Sequence, residues 1–168
     1  MRTVDPRQLL APEPREPAQA IWFRLVAPIG DDPALHRAIL AYASDFALLG
    51  TSTLPHGINW LIHDMQTASL DHALWLHEPF RADEWLLYTT DSPWAGHARG
   101  FNRGRIFAAD GRLVASVAQE GLIRLRSAPV QKPDRAYRFW RASANFADFH
   151  REGDEMTVTV KTFASKHR

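Results

Sequence analysis

Asp45, Ser69 and Gln119 are the residues whose types could do chemistry and whose surroundings single them out. Asp45 falls within residues 32–50, where Leu35, Ile39, Tyr42, Ala43, Phe46 and Leu49 recur at i, i+4, i+7, i+8 spacing, the mark of a helix with one apolar stripe. On that helix Asp45 sits at the edge of the stripe, beside Ala38 and Leu49, so its carboxylate lies where water meets core. It is either a solvated surface acid or a catalytic one. Gln119 belongs to a strand over residues 113–125 in which Leu113, Ala115, Val117, Gln119, Gly121, Ile123 and Leu125 share a face. A buried amide left unpaired costs about 1–3 kcal/mol. Gln119 therefore either bonds neighbouring backbone or faces a polar site beside the helix, where Ser69 from an earlier strand can join it.

The elements that must position these groups are well marked. Asp32 is a good N-cap, Pro33 suits a first-turn position, and Gly50 can close the helix in the left-handed conformation. Ile21 to Val26 reads as a short strand, ended by Pro28-Ile29-Gly30, and Pro55-His56-Gly57 as a turn. Residues 66–80 read as one strand, with Leu70, His72, Leu74 and Leu76 on one face and Ser69, Asp71, Ala73, Trp75 and His77 on the other, until Pro79 stops it. Residues 84–90 and 99–108 supply two more strands, the second with Gly100 and Gly104 on one face, where a helix can approach closely. Asp110-Gly111 marks a hairpin. A strand, one long helix and then four mostly antiparallel strands predict an α+β fold in which a curved sheet wraps a single central helix around one dominant core.

Flanking this unit, residues 1–17 carry Pro6, Pro12, Pro14 and Pro17 and read as an extended lead-in. Residues 127–168 form an extension of unassigned role, with a short helix expected over 134–150 and a strand over 156–164.

Composition removes several functions. With 168 residues, 45% hydrophobic and 23% charged, the chain can bury one core, and its net charge of +1 gives no basic surface for nucleic acid or membrane. The absence of cysteine excludes thiol nucleophiles, disulfides and zinc–thiolate sites. Eight histidines, among them His72 and His77, show no metal-ligand spacing, so no metal is expected and the strand histidines are read as satisfying local hydrogen bonds. Gly-rich phosphate loops are absent. No segment approaches the roughly 20 apolar residues of a membrane span and no leader-like run opens the sequence, so a cytoplasmic location is expected.

A resemblance then emerges from several ordered blocks: Ala41-Tyr42-Ala43-Ser44-Asp45, Pro55-His56-Gly57, the run from Ala68 to Phe80 (ASLDHALWLHEPF), Glu84-Trp85-Leu86-Leu87-Tyr88, Ala98-Arg99-Gly100-Phe101 and Gln119-Glu120-Gly121. Together, from about Gln19 to Arg126, they resemble the second hot-dog repeat of the acyl-CoA thioesterase II (TesB-type) family. The resemblance implies a hot-dog domain over residues 18–126 that hydrolyses acyl-CoA to free acid and coenzyme A. It implies a catalytic set of an Asp on the helix, a Thr or Ser on the following strand and a Gln on the last strand; Asp45, Ser69 and Gln119 match. It implies no cofactor beyond the coenzyme A carried by the substrate, whose phosphates Arg99, Arg103 and Arg105 could meet, if these are not simply a solvated sheet face.

The sequence departs from that family in two ways. Ser69 stands where Thr is usual, keeping the hydroxyl and losing the methyl that restricts its rotamer. Only one repeat is present where two usually pack side by side, so a homodimer imitating the tandem is expected, or a separate chain supplying the first repeat. Two alternatives stay open: a catalytically weak acyl-CoA-binding hot-dog module that needs a partner repeat, and an enoyl-CoA hydratase.

Overall fold

The structure, a computed structural model, describes residues 1–126 and the backbone of residues 147–152 and 155–160. Among the described residues nine strands occur in chain order: β1 (Arg2–Thr3), β2 (Ala18–Phe23), β3 (Met65–Ser69), β4 (Ala73–Leu76), β5 (Leu86–Gly96), β6 (Arg99–Ala108), β7 (Leu113–Leu125), β8 (Ala147–Glu152) and β9 (Glu155–Val160). One α-helix, α1 (Pro33–Ala43), and a 3₁₀ helix (Leu49–His56) follow β2. β1 to β7 form an antiparallel sheet in the order β1-β2-β5-β6-β7-β3, with β4 also paired to β7. Ile21, Phe23, Leu40, Leu48, Leu86, Tyr88, Ile106, Val114 and Val117 pack into one core between the sheet and the helical segments.

The helix starts as expected and stops early. The Asp32 carboxylate accepts from the Ala34 N–H at 2.9 Å and Pro33 opens the first turn. The helix ends at Ala43, seven residues before Gly50. There the Ser44 N–H bonds the Leu40 carbonyl at 2.8 Å, the Ser44 hydroxyl bonds the Ala41 carbonyl at 2.8 Å, and Ala47 takes a left-handed φ of 61° that no α-helix tolerates. The chain then resumes as the 3₁₀ helix, closed by Gly57 at φ 59°; Gly57, and not Gly50, is the left-handed cap.

The expected stripe is also rotated. α1 buries His36, Leu40 and Ala43, while Leu35 and Tyr42 are 42% and 58% exposed. A histidine enters the core because both ring nitrogens are satisfied: Nδ1 accepts from the Ala82 N–H at 3.0 Å and Nε2 donates to the Gly30 carbonyl at 3.0 Å.

Residues 66–80 do not form one strand. Ser69 pairs with Gly121, yet Ala73 pairs with Ala118, so residues 70–72 stand against residues 119–120 and one extra residue bulges out. Glu120 holds the bulge, its carbonyl accepting from the Leu70 N–H at 2.9 Å and its N–H donating to the Asp71 carboxylate at 2.7 Å. The extra residue resets the alternation, which places Ser69 and His72 on the same face, contrary to strict period 2.

Gly100 and Gly121 are register partners, and the 3₁₀ helix lies on this side-chain-free patch: a Cβ at Gly100 would collide with Ser52 and one at Gly121 with Leu49. The close approach expected over Gly104 is made by the ring of Tyr88, and not by a helix. The hairpin at Asp110-Gly111 is present, with Gly111 at φ 89° and the Asp110 carboxylate accepting from the Arg112 N–H at 3.0 Å.

The lead-in is tied to the domain. β1 pairs with β2, the Arg15 N–H bonds the Leu54 carbonyl at 3.1 Å, and Asn59 Nδ2 donates to the Leu9 carbonyl at 2.8 Å. In the extension, residues 147–150 lie in β8, paired with β9, and not in the expected helix; the ladder running from Ala147–Val160 to Glu152–Glu155 takes up their backbone. Residues 134–146 and 161–164, the rest of the expected helix and strand, lie outside the described residues. Among the described residues no helix is long and apolar enough to cross a membrane.

Candidate active site

Asp45, Ser69 and Gln119 come from three separate elements and meet at one point. Asp45 occupies the turn created where α1 breaks, with its side chain 58% exposed. Ser69 is the last residue of β3 before the bulge, and Gln119 lies in mid-β7, fully buried on the inner face as its alternation predicts. Gln119 Nε2 donates to Asp45 Oδ1 at 2.6 Å, and the Ser69 hydroxyl donates to the same oxygen at 3.4 Å. Gln119 Nε2 also lies 3.1 Å from Ser69 Oγ. The first of these contacts is short for an amide donor.

A fourth side chain, His72, completes the cluster. Its Nδ1 lies 3.1 Å from Gln119 Nε2 and 3.9 Å from Asp45 Oδ1, and its Nε2 is 2.8 Å from Ser44 Oγ. Sequence reasoning passed over it because period 2 puts residues 69 and 72 on opposite faces. Only the bulge reverses this, and no glycine marks it.

Two features give the cluster its electrostatic character. Among the described residues, Gln119 Oε1 is the buried side-chain polar atom with no hydrogen-bond partner, an acceptor without a protein donor. Behind the turn, the Tyr88 hydroxyl donates to the Ser44 carbonyl at 2.6 Å. Burial, and secondarily the charge of Asp45, push the Tyr88 phenol well above its ordinary range, so it stays a neutral donor.

The three arginines of β6 lie elsewhere. Arg99, Arg103 and Arg105 alternate with the buried Gly100, Asn102 and Gly104 and so occupy the face of the sheet opposite Gln119. Arg103 Nε donates to Asp91 at 3.1 Å, and Arg99 bonds Glu120 at 3.0 Å and stacks over Trp94. The structure does not bring them to the cluster.

Residues 4–122 match the family model described as acyl-CoA thioesterase. The chain belongs to that family. It is 46% identical over 127 residues to mouse acyl-coenzyme A thioesterase 8, a match covering 75% of this chain and 39% of that protein. It is 39% identical over 106 residues to acyl-CoA thioesterase 2 of Haemophilus influenzae, covering 63% of this chain and 37% of that one. Among solved structures, the acyl-CoA thioesterase II TesB2 of Mycobacterium marinum shares 50% identity with a TM-score of 0.62, over 73% of this chain and 47% of that chain. The PaaI protein of Escherichia coli, at 12% identity and a TM-score of 0.53, shares the fold, covering 72% of this chain and 81% of its own. The curled antiparallel sheet packed against α1 is the expected hot-dog architecture. The chain spans 39% of the length of the mouse relative.

Proposed function

We propose that this chain hydrolyses acyl-CoA thioesters with a water activated by Asp45. The observation that carries the reading is the convergence of a carboxylate, a hydroxyl and a buried amide, from a helix-terminal turn, the edge strand β3 and the neighbouring interior strand β7, in a member of the acyl-CoA thioesterase family. The Asp45 carboxylate takes one proton of the water, and Ser69 and Gln119 hydrogen-bond that water and fix its direction. The water oxygen attacks the thioester carbonyl carbon, the carbon–sulfur bond breaks, and the departing thiolate recovers the proton from Asp45. The products are the free acid and coenzyme A. A thiolate leaves with little protonation, so a base and fixed dipoles suffice where an amide would require a strong acid. Arg99, Arg103 and Arg105, on the far face of β6, take no part in the hydrolytic step and stay the candidates for meeting the phosphates of coenzyme A.

The working unit is a homodimer in the cytoplasm, the second copy standing where a tandem protein has its other repeat. Exposed Leu35 and Tyr42 on α1 support a covered face there. Free-thiol release across a panel of short and long acyl-CoAs, run with light scattering at micromolar concentration, tests both statements. Thiol release by a dimer is expected. Acyl-CoA that raises the melting temperature without being cleaved would select the binding module instead. A stable monomer would overturn the assembly.

A further inference from the structure

We infer that His72 is a positioning residue of this site: its ring, clamped by the end of α1, accepts from the carboxamide of Gln119 and fixes the orientation of that amide against Asp45. The inference rests on the thioesterase reading and deepens it.

The hydrogen-bond directions allow one consistent assignment. The Ser44 hydroxyl proton is taken by the Ala41 carbonyl at 2.8 Å, so the bond between Ser44 Oγ and His72 Nε2 must be donated by the ring. A neutral ring protonated on Nε2 has its lone pair on Nδ1, 3.1 Å from Gln119 Nε2. Gln119 has two N–H groups. One goes to Asp45 Oδ1 at 2.6 Å, and His72 Nδ1 and Ser69 Oγ, each at 3.1 Å, share the other. Turning the amide over would set its oxygen against both the carboxylate and the Nδ1 lone pair. Oε1 is therefore aimed away from Asp45, buried and unpartnered.

The importance of this bond appears during turnover. When Asp45 takes the proton of water it loses its charge and with it much of its hold on Gln119. The bond to His72 is between neutral groups and does not change in that step. The ring is in turn tied to Ser44, the residue before Asp45, so acid and amide move as one body. Ser44 is fully buried and Tyr88 bonds its carbonyl, which makes the anchor rigid.

Two substitutions separate this role from ordinary packing. His72→Asn can place its Oδ1 where Nδ1 was, keeping the acceptor for Gln119 and losing Ser44. His72→Gln can keep a donor toward Ser44 and loses the acceptor. The expected result is that H72N retains kcat within about fivefold while H72Q and H72A fall by about 100-fold at near-constant KM, the scale of a misplaced reacting group. The reverse ranking of H72N and H72Q, or equal behaviour of all three, would overturn the inference. A long-range ¹H–¹⁵N spectrum of the wild-type protein reads the ring directly, independently of turnover. A proton on Nε2, with an Nδ1 resonance that moves in Gln119→Leu, is expected; a proton on Nδ1 would overturn it. A wild-type protein that cleaves no acyl-CoA would remove the thioesterase reading alone, and the spectrum would still decide the role of His72.

Discussion

Two polar networks meet the inner face of this sheet, and they are built to different standards. Under the 3₁₀ helix, Gln19 donates to the Ala47 carbonyl at 2.8 Å and to Thr51 Oγ1 at 2.9 Å, Thr51 and Thr90 share a 2.7 Å bond, and Asn102 Oδ1 accepts from the Ser52 N–H at 3.1 Å. In this belt Thr51, Ser52, Thr90 and Asn102 are buried, and every one has a partner. A few residues away, Asp45 is more than half exposed and Gln119 Oε1 is buried with nothing to accept from. The belt uses its hydrogen bonds to seat a helix on a glycine patch. The cluster keeps an acid open and an acceptor without a protein donor.

That contrast predicts opposite outcomes for similar substitutions. Gln119→Leu removes an orphaned acceptor together with the donor to Asp45, Ser69 and His72, and the half-exposed Asp45 can turn to water, so it should cost less stability than a change in the belt, yet lower kcat by about 100-fold or more. Thr51→Val is nearly isosteric and strands the partners of the belt, so it should destabilise by about 1–3 kcal/mol while leaving kcat within about twofold. Denaturation curves and thiol-release rates measured on both variants check the pair; equal loss of stability in the two would erase the distinction.

Alkaline pH sharpens the comparison at Tyr88, which links core and cluster. Its phenol is raised in the folded state. Above about pH 10 the unfolded chain releases this proton and the folded chain keeps it, so the unfolded state binds fewer protons and stability falls as pH rises, by up to about 1.4 kcal/mol per pH unit. Urea titrations between pH 9 and 11 (about one unit either side of the free phenol) should show that slope in the wild type and a flatter one in Tyr88→Phe. The smallest effect belongs to Ser69→Thr. It keeps the hydroxyl and stiffens its rotamer, so kcat should change by no more than about threefold, seen in the same thiol assay.

How much of this was legible in the sequence differs by element. Gln119 was, because the buried positions of β7 alternate from Ala115 to Gly121 and an amide among them is conspicuous. The Asp32 cap and the Asp110-Gly111 hairpin were, because their signals are local. The end of α1 was not: its periodicity runs on to Leu49, but Ser44 and the left-handed Ala47 break the helix for reasons set by the 3₁₀ helix that follows. The burial of His36 was hidden because its partners, Gly30 and Ala82, come from segments outside the helix. His72 was missed for a related reason. One bulged residue between β3 and β4 turns its ring inward, and a bulge without glycine leaves no mark in the sequence. Expected contacts failed where they depended on what another segment supplies, as at Gly104, which receives the ring of Tyr88.

Asp45→Asn tests the central claim most directly. The substitution keeps the shape of the side chain, and at a half-exposed turn it should leave the melting temperature unchanged within the scale of a surface substitution. Thiol release from acyl-CoA by the folded variant should fall by about 10²–10⁴-fold, the contribution of a general base. Turnover equal to that of the wild type would show that the acid on this turn takes no proton from water, and the hydrolytic account would not stand.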